Sequence, residues 1–323
     1  MKLGFETLSK LVKGACYCEK KNGYFVPYRY SKAQIEYMAD ESYDYGWRFR
    51  ALFSGGIRLE LITDATELSF DYKASDKHER ANTIDLYIDN VLTSVYTIGE
   101  HLKGKVEFTL PEGKKRVTIY YPCECRLEIK NFTINGSYKS VKAKGEKLLI
   151  IGDSITQGAG PQIGSASYLN TLTRRTSYDI LGQGVGGYRY EAKDLMKIEG
   201  FEPDKLIVFL GTNYYEESCL ERGYDYERAV IEFYERLNEL YENKSVIAVT
   251  PLWRNNNVDM KRLRWCTSVI MSTCARYSNI KVIDGFDLVP NVDECFSDKV
   301  HPNAYGAEYL TTNLMKFMKG VKF

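Results

Sequence analysis

The sequence is poor in histidine and has no excess of either charge. Only three of its 323 residues are histidine, at positions 78, 101 and 301. The 44 Lys and Arg residues oppose 43 Asp and Glu residues and leave a net charge of +1. This balance argues against electrostatic capture of a nucleic acid or of an anionic membrane. We therefore expect a small-molecule or oligosaccharide substrate as the partner, and neither a nucleic acid nor a membrane.

Long apolar segments are missing as well. No uninterrupted run reaches the roughly 20 residues of a membrane-spanning helix, and the basic N-terminus lacks the apolar core of a secretion signal. We therefore expect a cytoplasmic protein whose eight cysteines are reduced thiols. The Cys-x-Cys pairs at 16/18 and 123/125 are spaced more closely than the ligands of most structural zinc sites. Burial as small apolar side chains is their expected role, and no metal site is predicted.

The first half of the chain has the pattern of short β-strands. From about residue 43 to 141, segments such as GGIRLELIT, TIDLYIDNVL and KRVTIYYP mostly alternate apolar and polar residues. Turn signals such as Ser54-Gly55-Gly56 separate them. The segment GWRFRALF, at 46–53, is among the predicted strands. The pattern indicates an antiparallel β-sandwich of the jelly-roll type.

After residue 144 the pattern changes to strands that alternate with amphipathic segments of helix length. This alternation predicts a parallel sheet covered by helices on both faces, which is a three-layer α/β/α fold. The polar segment 135–147 is the expected boundary, so we predict a β-sandwich domain at 1–143 and an α/β domain at 144–323. The predicted strands are 147–151, 178–182, 205–210, 245–250 and 280–284, and the predicted helices are about 165–175, 190–198, 225–242, 258–277 and 303–318.

Marked residues follow each predicted strand of the second half. The first four strands are followed in turn by GDS at 152–154, GQGVGGY at 182–188, GTN at 211–213 and TPLWR at 250–254, and the fifth leads to SDKVHPNAYG. Ligands of open α/β sheets bind beyond the carboxyl ends of the strands. We therefore expect the chemistry of the protein at this edge.

Ser154 is a candidate nucleophile that would need a base. The histidines at 78 and 101 lie in polar turns of the β-rich half, whereas His301 directly precedes the last predicted helix. Asp298, three residues earlier, can accept the Nδ1 proton of His301 and leave Nε2 facing the serine. A polar turn at Asp298 followed by a helix start at His301 is the alternative, and this pair alone does not decide between them.

Acyl transfer also needs hydrogen-bond donors for an oxyanion. The backbone N–H groups of Ser154 and Gly187 and the side-chain amide of Asn213 are the candidates. Each also has an ordinary explanation, because glycine permits tight turns and asparagine stabilises them.

The four blocks GDSIT (152–156), GQGVGG (182–187), GTN (211–213) and DKVHPN (298–303) resemble, in this order, those of the SGNH (GDSL) hydrolase superfamily. The resemblance covers about residues 145–320 and implies a flavodoxin-like sheet. It implies that Ser154 is the nucleophile and that its N–H, the Gly187 N–H and Asn213 bind the oxyanion. It also implies that His301 is the base, that Asp298 orients it, and that no metal or organic cofactor takes part. Tyr214 replaces the Asp that commonly ends the third block, and we expect it to change how the loop is braced rather than to abolish activity.

The substrate is indicated less directly. A β-sandwich before such a domain resembles the carbohydrate acetyl esterases that act on plant polysaccharides such as xylan, which implies a serine esterase removing acetyl or other small acyl groups from carbohydrate. Tyr188, Tyr214, Trp253 and Arg254 fall at the predicted edge and are the candidate substrate-binding residues. Filling the core is the alternative role for the aromatic side chains, and pairing with an acid is the alternative role for Arg254. Hydrolysis of lipid, thioester or aryl esters, and sugar binding without catalysis, are the alternative functions.

Overall fold

The computed structural model describes residues 1–40, 43–75, 81–100, 102–142, 145–214, 225–254 and 259–323. The histidines at 78 and 101 and the predicted boundary between residues 143 and 144 lie outside these ranges. The division into two domains at that point therefore stays a prediction. Within the described residues, no helix is long and apolar enough to cross a membrane.

The described part of the first half contains eleven strands in two antiparallel sheets. One sheet has the order β1-β4-β9-β6-β7, with β11 paired to β4, and the other has the order β2-β3-β10-β5-β8, with the bounds given next. The strands are β1 Val12–Lys13, β2 Tyr17–Lys21, β3 Tyr24–Tyr28, β4 Arg58–Thr63, β5 Glu67–Ser75, β6 Thr83–Ile88, β7 Val91–Thr97, β8 Lys103–Thr109, β9 Lys115–Tyr120, β10 Arg126–Ile134 and β11 Tyr138–Ser140.

Alternating side chains fill the space between these two sheets. Along β5, Leu68, Phe70, Tyr72 and Ala74 are buried and the residues between them are less so. They belong to one apolar cluster with buried residues of the other sheet, among them Leu59 of β4. This is the period of two expected for sheets with one buried face. The predicted antiparallel β region is therefore confirmed, and the finer jelly-roll label stays a prediction.

The predicted strand at 46–53 is wrong. The first half contains three helices in its described part: α1 Phe5–Leu11, α2 Lys32–Met38 and α3 Tyr45–Ala51. The carboxylate of Asp44 caps α3 by accepting the N–H of Trp47 at 3.0 Å. Capping of this kind stabilises a helix start where the apolar and polar alternation alone favoured a strand.

The second half forms a five-stranded parallel sheet with the order β13-β12-β14-β15-β16. Its strands are β12 Lys147–Gly152, β13 Asp179–Gly184, β14 Lys205–Phe209, β15 Ser245–Val249 and β16 Ile280–Ile283. Its helices in the described residues are α4 Ser154–Gln157, α5 Tyr168–Arg175, α6 Tyr226–Tyr241, α7 Met260–Cys274 and α8 Ala304–Gly320. The order is that of flavodoxin-like sheets, so the predicted fold class is confirmed.

Both faces of the parallel sheet are covered. Leu149 and Ile151 of β12 pack in a cluster with residues of α6 and α7. Leu148 and Ile150 point to the other face and pack with residues of α5 and α8. Strands β12, β14 and β15 are apolar on both sides, which is why they appear in the sequence as continuous apolar runs.

The predicted helix at 190–198 is also wrong. Only a single 3₁₀ turn, Ala192–Asp194, forms there. The carboxylate of Asp194 accepts hydrogen bonds from the hydroxyls of Tyr43 (2.7 Å) and Tyr188 (3.0 Å). These tertiary bonds hold the segment as a loop although its apolar spacing suits a helix.

The first half of the chain covers the edge strand of the parallel sheet. The buried guanidinium of Arg29 donates to the carbonyls of Gly182 (3.1 Å) and Gly184 (2.9 Å) of β13. It also donates to the carbonyl of Arg50 at 3.2 Å. The carbonyls of an edge strand need such partners when they are buried. Arg29 thereby ties the end of α3 to the strand that leads into the glycine-rich loop.

Candidate active site

Ser154 begins helix α4 just after strand β12, which lies next to the edge strand β13, at the carboxyl end of the sheet. Asp153 caps this short helix, and its carboxylate accepts the N–H of Ile155 at 3.0 Å. A Cβ atom on Gly152 would lie 2.0 Å from Oγ1 of Thr156, so glycine is required for the tight turn from strand to helix. The local sequence thus places a serine hydroxyl at the mouth of the sheet.

His301 and Asp298 complete a hydrogen-bonded chain with this serine. Nε2 of His301 lies 2.8 Å from Oγ of Ser154. Nδ1 of the same ring lies 3.0 Å and 2.9 Å from the two carboxylate oxygens of Asp298. These are ordinary hydrogen-bond distances in the order nucleophile, base and orienting acid. The structure brings the three predicted catalytic residues together, and their catalytic roles stay predictions.

The loop from Ser297 to His301 is closed by its own hydrogen bonds. Asp298 Oδ1 accepts the backbone N–H groups of Val300 (3.2 Å) and His301 (2.9 Å). The N–H of Ser297 donates to the carbonyl of His301 at 2.9 Å. Asp298, three residues before His301, therefore both closes the polar turn and binds the imidazole. The turn and the orientation of the histidine, which the sequence offered as alternatives, occur together.

The two carboxyl groups of the site have opposite pKa shifts. Burial opposes ionisation of Asp298, but the hydrogen bonds from the His301 side chain and backbone outweigh it and hold its pKa below the usual range. Burial raises the pKa of Asp153 to about 6, against the lowering effects of the Ile155 N–H and of the positive charges of His301 and Arg254. Asp298 is therefore a stable anion beside the imidazole.

The candidate oxyanion donors are held at the same edge of the sheet. Gly187 has a φ of 79°, a left-handed conformation that favours glycine. The N–H of Gly186 donates to Oε1 of Gln157 at 2.8 Å, which links the loop to the helix that carries Ser154. The amide of Asn213 donates to the carbonyl of Tyr188 at 3.0 Å. Hydrogen bonds thus connect the glycine-rich loop after β13 to the helix of Ser154 on one side and to Asn213 on the other.

Arg254 is buried and donates hydrogen bonds to the third block, GTN at 211–213. Its guanidinium makes a close hydrogen bond to the carbonyl of Thr212 and also lies 3.5 Å from the Thr212 hydroxyl. These contacts are with the loop that carries Asn213. The structure therefore favours a positioning role for Arg254 over the predicted contact with substrate.

The predicted substrate-binding tyrosines are not at an open surface. Tyr214 is 2% exposed, is stacked on Tyr190 and makes a close hydrogen bond with the Tyr190 N–H. Tyr188 is 8% exposed and donates its hydroxyl to Asp194. Their side chains fill the core, which was the alternative interpretation.

Trp253 is half-buried and packs against Phe286. Its ring is stacked on Phe286 with 3.9 Å between centroids, and its indole N–H donates to the Phe286 carbonyl at 2.9 Å. Proximity to a strand end in sequence did not reveal on which side of the loop these aromatic side chains lie.

An open groove beside His301 was missed by the sequence analysis. It has a volume of about 490 Å³, and its lining includes Gly160, Gln162, Ser297 and Tyr305. A Cβ atom on Gly160 would lie 3.1 Å from Cβ of His301, so the lining of the groove reaches the backbone side of His301, although His301 and Ser154 are not themselves part of the lining. The run of small residues after Ser154, GAGPQIGSA, was the available signal.

The match to a known family agrees with this geometry. Residues 150–309 match the profile of the GDSL-like lipase/acylhydrolase family. The α/β half of the chain belongs to this family. The predicted SGNH (GDSL) resemblance is confirmed, and the protein is a hydrolase of the carboxylic-ester class. In the described residues, no group of three or more His, Cys, Asp or Glu side chains is arranged to hold a metal ion.

Solved structures show the same fold over nearly the whole chain. A GDSL-like lipase from Bacteroides ovatus, described as putative, has a TM-score of 0.78 and 18% identity, covering 100% of this chain and 98% of its own. A salicylyl-acyltransferase from a tetracycline biosynthetic pathway has a TM-score of 0.75 and 17% identity, covering 96% and 94%. An acetyl xylan esterase from the rumen bacterium Butyrivibrio proteoclasticus has a TM-score of 0.66 and 16% identity, covering 100% and 98%. The comparison with curated proteins found no match.

Proposed function

We propose that the protein is a serine esterase that removes small acyl groups, above all acetyl, from carbohydrate. The hydrogen-bonded chain from Ser154 through His301 to Asp298 carries the chemical part of this proposal. A serine hydroxyl is a weak nucleophile until an adjacent base takes its proton, and the 2.8 Å contact with Nε2 gives it that base.

The reaction follows from the geometry in two halves. Oγ of Ser154 attacks the ester carbonyl while Nε2 of His301 takes the hydroxyl proton, and the negative charge that develops on the carbonyl oxygen is bound by the N–H groups of Ser154 and Gly187 and by Asn213. The C–O bond to the sugar then breaks, and His301 returns its proton to the departing alcohol. Water attacks the acyl-serine with His301 again as the base; the bond between the acyl carbon and Oγ then breaks, His301 returns the proton to Oγ of Ser154, and the free acid leaves.

Asp298 contributes through the histidine. Its bond to Nδ1 fixes the tautomer in which Nε2 faces Ser154. Because its pKa is held low, its carboxylate stays ionised and stabilises the imidazolium that forms in each half of the reaction.

The groove beside His301 supports carbohydrate as the alcohol part of the ester. Tyr305 at its rim is 75% exposed and offers an aromatic face to a sugar ring. Gln162 is exposed on the same groove and offers an amide to sugar hydroxyls. The fold likeness to an acetyl xylan esterase over the full chain is consistent with this substrate class.

Acyl transfer to an acceptor other than water is the second candidate. The observation that favours it is the likeness, over 96% of the chain, to a salicylyl-acyltransferase. The first half of the reaction is the same, and the two functions differ only in whether water or another alcohol attacks the acyl-serine.

The proposal is tested with a panel of esters. Wild type and Ser154→Ala are assayed for acetate release from acetylated xylo- and manno-oligosaccharides, and on p-nitrophenyl esters of increasing chain length with and without added alcohol acceptors. We expect release of acetate by wild type and loss of activity in Ser154→Ala. Ser268→Ala is the matched control, because its hydroxyl donates to the Trp265 carbonyl within α7 at 2.7 Å. Preference for acyl chains of eight or more carbons, or transfer that exceeds hydrolysis, would contradict the acetyl esterase.

A further inference from the structure

Arg50, from helix α3 of the first half, contacts the glycine-rich loop of the second half. Its Nη1 donates to the carbonyl of Gly186 at 3.1 Å, across 136 residues of sequence. This carbonyl belongs to the same peptide group as the N–H of Gly187, the candidate oxyanion donor. The guanidinium therefore binds one end of the peptide group whose other end carries the candidate N–H donor.

A planar trans peptide couples these two ends. The described residues contain no cis peptide bond, so the Gly186 C=O and the Gly187 N–H point in opposite directions. A partner that fixes the direction of the carbonyl consequently fixes the direction of the N–H. A cationic donor on the carbonyl also withdraws charge from the amide, which strengthens the N–H as a donor.

The preceding peptide group is held from the other side. The N–H of Gly186 donates to Gln157 of α4 at 2.8 Å. A Cβ atom on Gly186 would lie 3.0 Å from Cδ of Arg50, so glycine allows the arginine to cross the loop closely. Gly186 is thus held between the helix that carries the nucleophile and a side chain from the first half of the chain.

Arg50 is itself anchored. Its carbonyl accepts a hydrogen bond from Arg29, which also donates to Gly184 at the end of β13. One turn earlier on α3, Trp47 packs edge-on against Tyr188, with 5.1 Å between ring centroids. These contacts fix the position of α3 relative to the glycine-rich loop.

We infer that Arg50 is a positioning residue for the oxyanion hole, so that the first half of the chain completes the catalytic site. This inference rests on the proposed serine-esterase function. It gives the β-rich half a role in the chemical step in addition to any role in binding carbohydrate.

The test compares Arg50→Met and Arg50→Lys with Arg48→Met, a matched change on the same helix whose guanidinium donates to Ala39 instead of the loop. Assays are normalised to folded protein by circular dichroism. For Arg50→Met we expect kcat on p-nitrophenyl acetate to fall about 10- to 100-fold with KM nearly unchanged, less than the loss of a complete oxyanion donor. Arg50→Lys, which keeps the charge, is expected to recover part of this loss, and Arg48→Met to retain wild-type kcat.

A second readout is independent of the substrate. In labelling by a fluorophosphonate, Ser154 Oγ bonds to phosphorus, fluoride leaves, and His301 takes the hydroxyl proton, while the phosphoryl oxygen needs the same oxyanion donors. We expect the labelling rate to fall in Arg50→Met in proportion to kcat. Unchanged labelling of folded Arg50→Met, or an equal loss in Arg48→Met, would overturn the inference. If wild type is labelled but hydrolyses none of the acetyl esters, the proposed substrate fails while the labelling rates still decide the role of Arg50.

Discussion

Nε2 of His301 lies 2.8 Å from Oγ of Ser154, although 147 residues separate them in the sequence. The contact follows from the sheet topology. Ser154 follows β12, which lies between β13 and β14 in a parallel sheet. It is therefore at the carboxyl edge of the sheet, where the loop that precedes α8 brings His301. The remaining strand-end blocks meet at this edge for the same reason.

Asp298→Asn is expected to lower kcat strongly with little effect on KM. The amide can hold the imidazole in the wrong tautomer, a change that costs up to about 10⁴-fold in comparable triads. We expect a loss of roughly 10²- to 10⁴-fold in steady-state assays. Asp287→Asn, an exposed carboxylate on a nearby turn, is the control. A kcat within twofold of wild type for Asp298→Asn would show that Asp298 does not orient the base.

Gly187→Ala is expected to lose activity through backbone strain. A Cβ atom there meets nothing closer than Nε1 of Trp47 at 3.6 Å, so the added methyl has room, but φ is 79°. The left-handed conformation costs a non-glycine residue about 1 kcal/mol. Gly113→Ala carries the same strain at φ 85° in an open turn and is the matched control. Urea unfolding should show similar losses of stability in both variants, with a fall in kcat confined to Gly187→Ala. Equal activity in the two variants would contradict the assignment of the Gly187 N–H as an oxyanion donor.

Arg254→Met separates positioning from substrate binding. The variant leaves the buried carbonyl of Thr212 without its close donor, which is expected to cost about 1 to 3 kcal/mol of stability. Because Thr212 precedes Asn213, we also expect kcat to fall. The measurements are the free energy of unfolding and the separate kcat and KM values. A raised KM with unchanged stability and kcat would instead favour the original prediction that Arg254 contacts the substrate.

Asp153→Asn is expected to change how stability depends on pH. Burial raises the pKa of Asp153 to about 6, whereas an aspartate in an unfolded chain titrates near 3.9. Between about pH 4 and pH 6 the folded protein therefore binds more protons than the unfolded chain, so this group makes stability fall as pH rises through that window. The asparagine oxygen can keep the bond to the Ile155 N–H without ionising.

The difference is measured by urea unfolding at intervals from pH 4 to pH 7. Relative to wild type, Asp153→Asn should gain stability across this window, by up to about 3 kcal/mol for a shift of this size. Unfolding free energies of the two proteins that run parallel with pH would contradict the raised pKa.

The sequence predicted the parallel sheet well because three of its strands, β12, β14 and β15, are buried on both faces. Strands β12, β14 and β15 appear as uninterrupted apolar runs, and all five observed strands begin and end within two residues of the predicted bounds. The candidate catalytic residues could also be predicted from the sequence, because a nucleophilic serine at the first strand end would need a base and His301 is the histidine placed to reach it.

The parts that sequence patterns missed depend on contacts between distant segments. GWRFRALF alternates like a strand, yet the Asp44 cap makes it a helix. Asp194 holds its own segment as a loop through Tyr43 and Tyr188. Position after a strand suggested that Tyr214 binds substrate, but it cannot show which side of a loop a side chain occupies. Arg50 was missed because its partner lies in the other half of the chain.

The most direct test of the central claim is to map the residue that reacts with a fluorophosphonate by peptide mass spectrometry. Our account predicts one adduct per chain, on Ser154, with none formed in Ser154→Ala or after prior unfolding in urea. It also predicts that acetyl-ester hydrolysis disappears in step with labelling. An adduct on another residue, or hydrolysis that continues after Ser154 is fully labelled, would contradict the assignment of Ser154 as the nucleophile.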